Sequence, residues 1–128
     1  MNYYFSKILN MSFDEAIDRV TGGLKNEGFG ILTEIDVKNT MKKKLDVDFR
    51  NYKILGACNP SFAYEALQAE RMVGAMLPCN IVVQDTEDGK VEVAAVDPAA
   101  SMQAVENANL AGIAGEVQAK LKNVIDNL

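Results

Sequence analysis

The sequence predicts an α+β fold: a two-layer sandwich with a mostly antiparallel sheet, helices packed on one sheet face, and the order β-α-β-α-β-α-β-β-α. Three observations carry this expectation. Short β-prone runs alternate with apolar stripes of helical period. The turn from Asp85 to Gly89 contains Asp-Gly and joins two strand-like runs, so part of the sheet is antiparallel. The C-terminal segment places Leu110, Ile113, Val117, Leu121, Val124 and Leu128 at steps of three and four, which gives a helix with one face to bury. The runner-up is a doubly wound parallel sheet. No Gly-x-Gly-x-x-Gly or Gly-x-x-x-x-Gly-Lys segment supports a nucleotide site in either fold.

Each element has a local reason. Tyr3 to Ile8 is β-prone and opens the fold. Ser12 stands three residues before Glu15, the spacing of a capping box, and Asp14 adds negative charge in the first turn. Phe13, Ala16, Ile17, Val20 and Leu24 then form a helical stripe. Gly28 is the expected stop. Gly22 and Gly23 cost the helix roughly 1 kcal/mol each relative to Ala. They permit close packing against a neighbour or mark an early end. Gly30 to Ile35 reads as the second strand, and Asp36 caps a short helix through Val37, Met41 and Leu45. The loop from Asp46 to Asn51 is turn-rich, with Phe49 expected to tuck inward.

Tyr52 to Cys58 reads as a central strand. Asn59 is the expected N-cap of the next helix and Pro60 its first residue. That helix turns Ala63, Ala66 and Leu67 to its apolar side, and a looser stretch from Glu70 to Met76 follows. A strand begins at Cys79 or Asn80 and runs to Gln84, and Lys90 to Val96 returns beside it. Asp97-Pro98 repeats the cap-plus-proline signature before a short helical turn.

At 128 residues the chain fits one domain, 1–128. A chain of this size buries roughly two-thirds of its unfolded surface and needs no disulfide or metal staple. With 48% hydrophobic and 24% charged residues it is too apolar for disorder. No apolar run approaches a membrane span. The first residues lack a basic stretch followed by an apolar one, so no signal peptide is read and a cytoplasmic location is expected.

The net charge of −5 argues against a dedicated nucleic-acid binder. Residues 1–64 carry nine basic and eight acidic groups, and residues 65–128 carry four basic and ten acidic groups. Lys38, Lys42, Lys43 and Lys44 cluster on the short helix, where a solvated face is the common outcome. The chain contains no histidine. That excludes Ser-His-Asp and Cys-His catalysis, imidazole metal ligation and a histidine pH switch.

Two segments stand out: Gly56-Ala57-Cys58-Asn59-Pro60 and Leu77-Pro78-Cys79-Asn80. Each places a Cys-Asn pair beside a strand end. Four readings are open. The cysteines are small buried hydrophobes. Cys58, just before a helix N-terminus, is a reactive thiol. The two thiols form a metal or redox pair, although 21 positions separate them and neither belongs to a Cys-x-x-Cys motif. Or Asn59 and Asn80 hydrogen-bond each other's turns or a ligand, for which plain capping would account for Asn59 but not Asn80.

These segments, with Glu34-Ile35-Asp36-Val37-Lys38 upstream and Ala95-Val96-Asp97-Pro98 downstream, resemble the domain-of-unknown-function family number 302 over nearly the whole chain. The resemblance implies a two-layer α+β fold of the TATA-binding-protein-like kind and a small soluble protein able to dimerise. It carries over no catalytic residue, and fold likeness to a DNA-binding protein does not imply DNA binding.

The functional expectation is a homodimeric module that binds a small ligand or anion, with Cys58, Asn59, Cys79 and Asn80 as candidate ligand-binding residues. No metal, cofactor, nucleic acid or membrane is expected. The alternatives are a thiol-based enzyme or redox protein using Cys58, and a purely structural or interaction protein.

Overall fold

The computed structural model describes residues 2–128. Its strands are β1 (Tyr4–Leu9), β2 (Gly30–Asp36), β3 (Tyr52–Cys58), β4 (Cys79–Asp85) and β5 (Val91–Val96). Its helices are α1 (Phe13–Asn26), α2 (Val37–Leu45), α3 (Pro60–Ala69), α4 (Pro98–Ser101) and α5 (Ala108–Asp126). The stretch read as loose after α3 is a 3-10 helix over Arg71–Met76.

The strands form one sheet in the order β1-β5-β4-β3-β2. Every neighbouring pair is antiparallel, which excludes the doubly wound alternative. Alternation along each strand sends Leu55, Ala57, Ile81, Val83, Val93 and Ala95 inward, where all are buried. Ala16, Val20 and Leu24 of α1 and Val117, Leu121 and Val124 of α5 join them in one core cluster. Full burial of a Val, Leu or Ile side chain contributes roughly 1.5–3 kcal/mol. On the opposite face Asn80 is exposed, and Val82, Gln84, Glu92 and Ala94 are half-buried.

The caps follow the sequence with two departures. Ser12 Oγ accepts from the Glu15 amide at 3.1 Å, but Glu15 returns the contact to the Ser12 hydroxyl rather than to its amide. Asp36 accepts from the Asn39 amide at 2.9 Å, and Asp97 accepts from the amides of Ala99 and Ala100. Asn59 occupies the N-cap position of α3 yet makes no side-chain cap bond. Its amide instead donates to the Glu27 carbonyl at 3.3 Å, because α1 ends beside it.

The glycines of α1 divide by role. The helix runs past both Gly22 and Gly23 to Asn26. A Cβ on Gly23 would stand 3.4 Å from Val124 Cγ1, so this glycine lets α1 approach α5, whereas Gly22 faces open space. Gly28 takes a left-handed φ of 86° just after the helix, the conformation that favours glycine there. Phe49 is only half-buried and lies edge-on to Tyr52, with ring centroids 6.1 Å apart. In the lysine-rich helix α2, Lys42 pairs with Asp46 and Asp48 on the exposed surface.

Candidate functional site

The end of the sheet that carries Cys58 and Cys79 opens into a cavity of about 300 Å³. Strands β3 and β4 supply one wall through Ala57, Cys58 and Cys79. Helix α3 supplies Phe62, Ala63, Ala66 and Leu67, and α5 supplies Leu110, Ile113, Ala114 and Val117. Leu77, Pro78, Pro98 and Met102 complete much of the rest. The space has a residue-level cause. Ala57, Ala63, Ala66 and Ala114 stand where larger side chains would fill the gap between sheet and helices.

The lining contains no Asp, Glu, Lys or Arg. Its polar groups are the two thiols and the Asn59 side-chain amide, whose Nδ2 donates to the Glu27 carbonyl. No cation is present to hold an anion. Among the described residues, no group of three or more His, Cys, Asp or Glu side chains could hold a metal ion.

Strand pairing brings residues 21 positions apart to the same end of the sheet. Ala57 lies opposite Cys79 in the β3–β4 register, so Cys58 is one residue from direct opposition. Both cysteines are free. Cys79 is 8% exposed, and burial pushes its thiol up from 9.0 to about 11, with the nearby Cys58 adding to the rise. Cys79 is therefore a neutral thiol at physiological pH. Cys58 is half-buried, which makes it the more accessible of the two.

The register around this wall depends on Gly56. Its position faces Thr33 on β2 and Asn80 on β4. A Cβ there would collide with Thr33 Oγ1 and with Pro78 Cγ. Glycine thus permits a close approach of three segments beside the two cysteines. A register shift in β2 between Ile31 and Thr33 accompanies it and leaves Leu32, another cavity-lining residue, largely exposed.

Three of the four candidate residues are brought together: Cys58, Asn59 and Cys79 line the cavity. Asn80 does not. It follows Cys79 within a strand, so it points to the opposite sheet face, where it borders a second space of about 430 Å³ with Tyr4, Tyr52, Gln84 and Glu92. Of the four open readings, the one that has the two asparagines bond each other's turns finds no such bond: Asn59 Nδ2 donates to the Glu27 carbonyl, and Asn80 lies on the other face. The lining residues missed in the sequence include those of α3 and α5, Phe29, Leu32 and Met102. The available signal was the set of alanines on otherwise apolar helix faces, but it does not show which faces meet.

No curated protein matches the sequence. A family model described as "Domain of unknown function DUF302" matches residues 5–128. Among solved structures, the fold is similar to a crystal structure of the uncharacterized conserved protein DUF302 from Bacillus stearothermophilus, with a TM-score of 0.91 and 28% sequence identity over 98% of each chain. The chain belongs to the DUF302 family, and its cysteine-lined cavity lies within the span that the family model covers.

Proposed function

We propose that the protein binds a small, uncharged and largely apolar molecule in the cavity beside Cys58, Asn59 and Cys79. The observation that carries this reading is the lining itself: a concave space of about 300 Å³ with apolar walls and no charged side chain. Ligand sites of small molecules are concave, mostly apolar and equipped with few polar groups. An uncharged occupant loses little hydration on entering such walls, whereas an ion would lose much more and find no partner. The anion reading loses ground on the same count.

The test is titration with a neutral aromatic fluorophore, N-phenylnaphthylamine, followed by emission. Saturable binding is expected, and Ala63→Leu, which fills the cavity from α3, is expected to weaken it by at least about tenfold. Absence of saturable binding to the folded protein, or binding unaffected by Ala63→Leu, rejects the reading.

The same reading includes self-association through the sheet face opposite the helices. Its motivation is the exposure of Ile8 and Ile35 on that face, at 51% and 48%, flanking the half-buried Ile54, Val82 and Ala94. Light scattering after size exclusion is expected to return twice the chain mass for the wild type and the chain mass for Val82→Lys. A monomeric wild type at tens of micromolar contradicts it.

A further inference from the structure

The cavity has a length and a width as well as a volume. Phe29 stands just before β2, Cys58 ends β3, Cys79 begins β4 and Pro98 lies just after β5, and all four line the space. These strands are successive neighbours in the sheet, and their register sets the four ends side by side. Three spacings between strands, of roughly 4.8 Å each, make the space about 14 Å long. A volume of about 300 Å³ over that length leaves a mean cross-section of about 20 Å². A single carbon chain, which keeps heavy-atom contacts of about 4.0–4.5 Å on every side, has a section of that order. The two ends of the slot differ. At the β5 end Pro98 is buried, as are Leu110 and Ala114 of α5, which Gln118 ties to Asp97. At the β2 end Leu32 is 68% exposed, so the slot opens there. Asn59, which is the lining's one amide side chain, belongs to the open end, where its Nδ2 donates to the Glu27 carbonyl.

We infer that the ligand is a free single-chain molecule: one unbranched hydrocarbon chain of about ten carbons with an uncharged, hydroxyl-type head. This rests on the apolar-cavity reading above and names the class of molecule that the site takes. The volume sets the chain length. About 300 Å³ is roughly ten times the 30 Å³ that one water molecule occupies in the liquid, and a methylene group is of similar size. A two-chain lipid exceeds this space. The tail enters first, because Pro98, Leu110 and Ala114 offer only apolar surface at the closed end. The head stays at the β2 end, beside the Asn59 amide and within reach of water. No Lys or Arg lines the slot, so a carboxylate head gains no partner there and loses hydration as it approaches the apolar rim. Each methylene taken out of water strengthens binding by about fourfold, until the slot is full.

The experiment follows displacement of N-phenylnaphthylamine from the full chain by 1-hexanol, 1-octanol, 1-decanol and 1-dodecanol. Affinity is expected to rise about fourfold per methylene up to 1-decanol and to flatten at 1-dodecanol, whose last carbons lie outside the slot. Decanoate is expected to bind at least about tenfold more weakly than 1-decanol. Ala114→Leu, at the closed end, is expected to move the break to 1-octanol; if that variant does not fold, the wild-type series decides alone. Three results each overturn the proposal and leave the apolar site standing: alcohols that do not displace the fluorophore, a rise that continues through 1-dodecanol, and decanoate binding as tightly as 1-decanol. A break that Ala114→Leu leaves in place does the same. A wild type that does not bind the fluorophore removes the apolar site itself, and this proposal with it.

Discussion

The same dipeptide occurs at Cys58-Asn59 and at Cys79-Asn80, and the fold treats the two copies differently. At the first, the strand ends and a helix begins, so the chain leaves the sheet plane and both residues reach the cavity. At the second, the strand is beginning, so the twofold alternation of β-structure holds. Cys79 turns inward to the cavity and Asn80 outward to the open face. Residue identity is therefore a weaker guide to placement than the phase of the element that carries it. The thiols differ as a result. One is half-exposed at a helix start, and the other is buried and hard to ionise.

The largest consequence is a stability change at alkaline pH that belongs to Cys79. Its folded pKa is raised to about 11 from an ordinary value of 9.0, mainly by burial. The folded state thus holds the thiol proton more tightly than the unfolded state does. The associated stabilisation is fully present below the unfolded pKa of 9.0 and is lost as pH rises toward about 11. A shift of this size corresponds to about 2–3 kcal/mol. Urea unfolding between pH 8 and 11 is expected to show a loss of that order in the wild type beyond the loss in Cys79→Ala. Lysine titration affects both proteins alike, so the difference isolates the thiol. Parallel curves for the two proteins would mean that Cys79 ionises as freely in the fold as out of it, and the contrast between the thiols would collapse.

Much of the fold was legible because its causes are local. The Ser12, Asp36 and Asp97 caps each rest on a side chain within three residues of the amide it receives. The stripe of α5 rests on its own period, and five of the six residues it named lie within the helix, with Leu128 just beyond. The hairpin of β4 and β5 rests on the turn between them. The candidate site was legible only in part. Cys58, Asn59 and Cys79 were marked by repetition, but the helical walls of the cavity depend on which faces of α3 and α5 meet. That is a tertiary fact, and the same Ala-rich pattern would suit tight packing with no cavity at all. Asn59 shows the limit from another side. Its sequence context is that of an N-cap, yet its side chain makes no cap bond and its Nδ2 donates to the Glu27 carbonyl at the end of α1. A contact 32 positions distant in the chain stands where the sequence context led one to expect a local cap.

The smallest expected effect is the sharpest test of the comparison between the two asparagines. Asn59→Ala removes a partly buried bond to the Glu27 carbonyl, the tie between the end of α1 and the start of α3. A bond of this kind contributes about 0.5–1.5 kcal/mol. Asn80→Ala changes an exposed side chain with no hydrogen bond of its own among the described residues, and surface changes of that sort stay within about 0.5 kcal/mol. Urea unfolding is therefore expected to rank Asn59→Ala below Asn80→Ala, with Asn80→Ala close to the wild type. The opposite ranking would assign the outward asparagine a structural partner. In a face proposed for self-association, that partner would be a second copy of the chain, and the cost of Asn80→Ala would then grow with protein concentration.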